Sequence, residues 1–494
     1  MRIHDHSPPA HGSTSLARDR LGSTALVFFV LGAAAPLAST AGGASTGWAV
    51  TGVTQIPLAF VVTAVLLLVF IVGYAAMSPH VTSAGAIYTY VSRGLGRIPG
   101  VGAAFVALVS YSAMQVGLFG GTGAVADGFL GPRLGNPPWW TYSAVAWVLV
   151  LILGRLRVDF NGRVLGTLMA AECLIMIVYD AVMLAHPHDG QLSTATLAPS
   201  GLANPAVSVA VVIAFTSFVG VEDTTNYSEE SRPGTIGRAM RVSVVLGTAV
   251  YALSAWAISV ATGPDHVVDD AREQGAELMF TLVGSSLGST MITDVGRLLF
   301  VTSLFASCLA FHNTVARYLF ALGREGVLPR ALSVTSGRTG APANASLCQS
   351  AISATVLLVA VAFGWDPLVQ MFFWMGTLAG VGVAVLMCLA SVAVLGFFAR
   401  DPHGEPFARR VVFPALSAVS LGAVVVLTLD HYATLLGVEP GAPAARLLPG
   451  VLVLAALLGL ARGVHLYLGR DRPGAAYHRI GLGNATPPKE NEDA

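Results

Sequence analysis

Ionisable side chains stranded in apolar sequence are the residues of this chain with chemistry to do. Glu172 lies in LMAAECLIMIVYD with Asp180 further along the same run, and Glu222 and Asp223 directly follow PAVSVAVVIAFTSFVG. Asp294, Arg297 and His312 share another apolar run. A charge at the centre of a bilayer costs at least ~2.5–3.5 kcal/mol, so such groups are expected to pair or to carry protons or ions. From Asn161, where its run begins, Glu172 is about 16 Å along a helix rising 1.5 Å per residue, close to the midplane of a core ~30 Å thick. A carboxyl that is protonated in one conformation and ionised in another is what proton coupling requires. Glu172, Glu222 and Asp223 are therefore the candidate coupling or gating residues. Asp294 and Arg297 share a helix face and read as a local ion pair. Ser112, Gln115, Ser303 and Ser307 are candidates to line a pocket, although small polar residues also join helices to one another. His312 reads as structural.

Composition sets the medium in which these groups work. Of 494 residues, 54% are hydrophobic and 11% charged, with 27 Lys+Arg against 27 Asp+Glu; a soluble domain carries roughly 25% charged residues. A basic nucleic-acid binder, an acidic disordered chain and an ordinary soluble enzyme are excluded. Cys173, Cys308, Cys348 and Cys388 lie in apolar runs without metal-ligand spacing, and the terminal His4-Asp5-His6 has no further ligands beside it. There is no GxxxxGK[ST] motif, and Lys489 is the sole lysine, so no ATP-driven pump, cofactor or metal is expected.

Twelve apolar runs long enough to span a membrane centre on residues 24–46, 54–77, 100–127, 138–154, 162–185, 205–227, 237–262, 291–322, 343–363, 367–398, 411–429 and 447–467. Placing both termini in the cytoplasm leaves only Arg133, Arg272 and Arg446 on the opposite side and Arg297 within a span. All other cations, Arg232, Arg238 and Arg241 among them, then anchor the topology from inside. The first run follows a polar stretch without a small-residue cleavage site, which reads as an uncleaved tail. The outer loop Gly263–Gly288 begins acidic and ends apolar (LMFTLVGSSLG), consistent with a short helix over an outer vestibule or with a solvated loop.

Two runs make poor helices. In the first, Gly32-Ala33-Ala34-Ala35-Pro36 is followed by Ala41-Gly42-Gly43-Ala44-Ser45, and Pro36 cannot donate to the carbonyl four residues back. In the sixth, the apolar half stops at Gly220, before residues too polar to face lipid. Backbone broken at membrane depth persists only where protein or a cavity surrounds it. Matching breaks in the first and sixth of two consecutive groups of five helices point to an inverted-repeat transporter whose substrate sits between them. Exposed N–H groups at one half-helix suit a carboxylate, and exposed carbonyls at another suit an ammonium.

Four stretches extend this reading to a family. GAAAP in the first span, SAGAIYTYVSRGLG from Ser83, FTSFVGVEDTTNYSEESRPGTIGRA from Phe215, and ARYLFALGREGVLPRAL from Ala316 occur in order on the expected helices. Together they resemble the amino acid–polyamine–organocation transporters over about residues 22–400, with alanines replacing the family's usual glycine-serine core in the first span. The resemblance implies an all-α polytopic membrane protein with a five-plus-five inverted repeat of the leucine-transporter type. Its parts would be a cytoplasmic tail (1–22), a first repeat (23–190), a second repeat (200–400), two further helices (408–468) and a cytoplasmic tail (469–494). The resemblance also implies that backbone around Gly32, Ala33 and Ala34 takes a substrate carboxylate, with Ala35 beside them in the site, and that carbonyls around Phe215, Ser217 and Phe218 take its amine. Gly220, Gln115 and Ser303 complete the expected substrate site, with Phe218 as a gate by position. The expected function is secondary transport of amino acids or related amines across the inner (plasma) membrane, by proton-coupled symport or exchange. Its partners would be a small-molecule substrate, the lipid bilayer and protons. A sodium-coupled symporter with Na⁺ between the first and eighth spans is the alternative. A membrane-embedded enzyme, which would need clustered ligands at one face, is a remote one.

Overall fold

The computed structural model describes residues 21–81, 83–232, 234–472 and 475–483. The cations Arg2, Arg18, Arg20 and Lys489, the His4-Asp5-His6 tail and Pro233 of the sixth-span motif lie outside the described residues. All regular structure among the described residues is helical, apart from a single bridge joining Leu21 to Ser231. Among the described residues, ten helices are long and apolar enough to cross a membrane, and two shorter apolar helices, Trp139–Leu153 and Val207–Thr216, hold the fourth and sixth places. The sequence spacing thus gives twelve elements, of which the fourth is a short helix and the sixth a half-helix.

In chain order the spans are Ser23–Thr51, Ile56–Met77, Arg97–Leu134, Trp139–Leu153, Val158–Ala185, the interrupted sixth, Ile236–Thr262, Thr290–Glu325, Ala343–Ala362, Pro367–Arg400, Ala408–Asp430 and Pro443–Leu468. The third runs through the middle of the bundle, packing along the eighth, tenth and twelfth. Without a hydrophobic drive between helices in lipid, close contact depends on small residues. Gly459 and Gly463, one turn apart on the twelfth span, bring it against Val101 and Ile98 of the third. A short helix, Ala86–Gly94, follows the second span and packs on the third and tenth, so close to the tenth that a Cβ on Gly94 would lie 2.0 Å from the Ala393 carbonyl oxygen.

The acidic loop Gly263–Gly288 folds into two helices, Val267–Gln274 and Leu278–Leu287. The first packs on the far end of the first span, where Arg272 Nε donates to the Ala49 carbonyl at 3.2 Å. Asp294 and Arg297 do meet, at 3.7 Å, but within a wider network: Arg133 reaches Asp294 at 2.7 Å and Arg297 reaches Glu277 at 2.8 Å.

Candidate functional site: a cavity between two broken helices

The first span breaks at Ala35, which takes left-handed dihedrals (φ 45°, ψ 74°). Pro36 is the cause, since its ring disfavours the helical region for the residue before it. The glycine pair does not break the chain; Gly42 and Gly43 lie in a wide π-turn, Ser39–Ala44, which leads into Ser45–Thr51. The sixth span ends as an α-helix at Thr216 and resumes as a tight 3₁₀ helix over Glu222–Tyr227. Gly220 between them has φ 108°, and a Cβ there would come within 2.8 Å of Ala33 Cβ. The two breaks therefore touch. Gly220 must be small because of this helix contact; a substrate is not needed to explain it. A Cβ on Gly32 would meet Leu165 at an ordinary 3.5 Å.

On one side of this contact lies a cavity of about 160 Å³. Its upper walls, Val50 and Leu435, belong to the side on which the first span ends, and its base comprises Ala33, Ala34, Ala35, Phe215, Ser217 and Phe311. Of the expected site, Ala33, Ala34, Ala35, Phe215 and Ser217 line the cavity. Gly32, Phe218 and Gly220 stand behind its wall, and Phe218 packs edge-on against Tyr251 and Phe60. Two break carbonyls already have partners, because the Ser307 hydroxyl donates to Ala33 at 2.6 Å and the Ser39 hydroxyl to Ala34 at 2.7 Å. The sequence pattern pointed to no site residue on the tenth span. Phe372, Phe373, Gly376, Thr377 and Gly380 line the cavity, and the irregular turn Pro367–Trp374 that precedes most of them has no distinctive residue pattern.

Gln115 and Ser303 are elsewhere. Gln115 Nε2 pairs with His312 Nδ1 at 3.1 Å and its Oε1 accepts from Gln349 at 2.6 Å, while His312 Nε2 meets Ser346 at 2.9 Å. Ser112 joins this chain through Gln349 at 3.2 Å. This buried network ties the third, eighth and ninth spans together and makes His312 a helix-joining residue. The Ser303 hydroxyl donates to Glu172 Oε2 at 2.8 Å, and the Leu37 backbone N–H also faces that carboxyl. Glu172 thus sits among the fifth span, the eighth span and the N-terminal turn of the first span's second half, fully buried. Asp180, further along the fifth span, accepts from Ser254 of the seventh at 2.8 Å.

The other side of the break is sealed. Glu222 accepts from the Tyr111 hydroxyl at 3.0 Å and from the Gly220 N–H at 3.0 Å, and Asp223 accepts from Asn226 at 3.0 Å. Tyr111 stacks on Phe311 at 6.2 Å, so these acids lie directly behind the cavity base. Beyond them Arg317 donates to Glu230 through Nη2 at 2.7 Å and Nε at 2.9 Å, and packs 4.3 Å above the Tyr227 ring. Arg324 donates to Glu229 at 2.9 Å, and Glu229 also accepts from the Ala84 N–H at 2.9 Å. Partners for Glu229 and Glu230 thus come from the eighth span. Arg232 contributes a backbone bond to Leu21.

A polytopic helical protein with two interrupted helices meeting at a buried cavity, open toward one side and closed by ion pairs on the other, has the architecture of a membrane permease. The chain belongs to the amino acid permease family, whose sequence profile matches residues 21–454. It is similar to the low-affinity putrescine importer PlaP of Escherichia coli K12, 25% identical over 297 residues covering 57% of this chain and 62% of PlaP. It is also similar to the branched-chain amino acid permease BcaP of Bacillus subtilis, 24% identical over 424 residues covering 81% of this chain and 85% of BcaP. The chain thus spans about three-fifths of PlaP.

Proposed function

We propose that this protein is a secondary transporter of α-amino acids, driven by protons and working by alternating access about the cavity between the first and sixth spans. The relatives' names divide between a diamine and amino acids. The observation that carries the choice is the cavity lining: no charged side chain among the lining residues. A diamine would need an acid at each end. An amino acid needs only its head group read, and backbone can do that. The first span's second half presents its N-terminal turn toward a carboxylate, and the helix Val207–Thr216 presents its carbonyl end toward an ammonium.

The proton would act at Glu172. An ionised carboxylate beside the Leu37 N–H complements the positive end of the half-helix Pro36–Thr51 and holds it against the fifth and eighth spans. Protonation removes that charge and frees the half-helix to move. The serines in this region donate to Glu172 and to Ala33, and Na⁺ is the alternative ion. The two repeats (23–190 and 200–400), cytoplasmic termini and a plasma-membrane location complete the reading, in which the sealed side faces the cytoplasm. No enzymatic role is proposed.

Proteoliposomes with an imposed pH gradient test it. Glu172→Gln should retain substrate binding and exchange but lose accumulation driven by the gradient. A Gln variant that still concentrates substrate in step with the gradient removes Glu172 from coupling. Parent protein that accumulates substrate only with sodium reinstates the other ion.

A further inference from the structure

Resting on the reading that the cavity binds an amino acid, we infer that the side chain it accepts is uncharged and apolar, and that Gly376 sets the largest one admitted. Beyond the breaks, the cavity wall is built of Met114, Leu118, Leu304, Phe311, Phe372 and Phe373, with hydroxyls such as Thr216 and Thr377 between them. Charged groups near this wall are screened from it or engaged. Glu172 is held by Ser303 behind the first span, and Glu222 is held by Tyr111 behind Phe311. A guanidinium, an ammonium or a second carboxylate entering this space would lose its hydration without gaining a partner.

Glycines around the wall are of two kinds. A Cβ on Gly380 would press on Thr216 Cγ2 at 2.9 Å, and one on Gly43 would lie 3.2 Å from Ser217 Oγ, so these glycines are small because helices meet there. Gly42, in the π-turn of the first span, and Gly376 are different: a Cβ on either would meet nothing within 4 Å, and Gly376 lines the cavity one turn beyond Phe372 and Phe373. The space beside it is therefore cavity, unclaimed by any neighbouring helix. Its backbone is ordinary α-helix within Met375–Arg400, so a larger residue is compatible with the local conformation. Any side chain added here projects into the volume that a large substrate side chain would occupy.

The test is uptake by full-length protein in proteoliposomes, comparing alanine, leucine and phenylalanine with arginine and putrescine. Parent protein should take up the neutral amino acids and discriminate against arginine and putrescine. Gly376→Leu should raise the alanine-to-phenylalanine uptake ratio by at least about tenfold, the order expected for one or more methylenes excluded from an apolar pocket. Gly376→Ala should shift it in the same direction by less. If the Leu variant loses all uptake, the Ala variant decides, and a ratio like the parent's overturns the role of Gly376. Arginine or putrescine uptake as efficient as leucine uptake overturns the neutral-side-chain assignment. Parent protein that takes up none of the amino acids refutes the transport reading itself, a result distinct from either of these.

Discussion

Glu230→Gln tests whether the buried ion pair on the sealed side is what keeps that side closed. Arg317 and Glu230 are each about 3% exposed, and the guanidinium is held twice by one carboxylate oxygen. Removing one partner of such a pair typically costs ~3–5 kcal/mol, because the remaining charge stays buried without its counterion. If the pair exists only in the conformation closed on this side, that whole penalty falls on the closed state. At 1.36 kcal/mol per factor of ten, the balance should move toward the state open on this side by roughly 10²- to 10⁴-fold. Asn313, whose carbonyl accepts from Arg317 and whose side chain is only 5% exposed, reports the change. A cysteine at 313 should be nearly inert to a membrane-impermeant maleimide in the parent and react rapidly in the Gln variant, with the native cysteines providing the background. Adding Arg317→Gln should restore much of the closure, since neither charge is then stranded. Labelling at 313 that is the same with and without Glu230 refutes the reasoning.

Other predictions follow from the same geometry. Ala35→Gly should raise the melting temperature slightly, by up to about 1 kcal/mol of stability, because an L-residue in the left-handed region costs ~1–2 kcal/mol and glycine gives back part of that as chain entropy; Ala35→Val should lower it. Gln115→Leu strands His312 Nδ1 and Gln349 Nε2, and at ~1–3 kcal/mol for each unsatisfied buried group it should lower the melting temperature more than Ser303→Ala does. Glu325 accepts from the N–H groups of Gly481 at 2.9 Å and Gly483 at 3.2 Å, while Arg93 donates to the Gly481 carbonyl at 2.7 Å. Glu325→Ala should therefore release the C-terminal segment, and limited trypsin cleavage at Arg479 should accelerate at least about tenfold, a factor that ~1.5 kcal/mol for one charged hydrogen bond already supplies.

The helical architecture was legible because apolar runs and sparse charges are one-dimensional signals. The breaks were legible because Pro36 and the acids after Gly220 violate what lipid tolerates. The position of the first break was less so: Gly42 and Gly43 are the weaker helix formers, yet the chain turns at Ala35, where Pro36 restricts its neighbour. Gln115 and Ser303 showed polarity in apolar sequence, but polarity alone does not say whether a residue faces a cavity or another helix. Here the partners were Gln349 and His312 in one case and Glu172 in the other, from helices distant in sequence. Phe372, Phe373 and Gly376 look like any other apolar span residues, and only the packing of the tenth span against the third turns them into a cavity wall. The Glu230 partner was hidden for a similar reason, since Arg317 lies in the eighth span and three arginines closer in sequence compete for the role.

If the cavity beside the first and sixth breaks holds the transported amino acid, Ser217 is the place to measure it. Its side chain lines the cavity and lies close to Gly43 on the opposite wall. Ser217→Cys should react with a small, membrane-impermeant thiosulfonate added on the open side, and a transported neutral amino acid should slow that reaction with a half-maximal concentration matching its transport KM. Reactivity that saturating transported substrate leaves unchanged would place the binding site elsewhere.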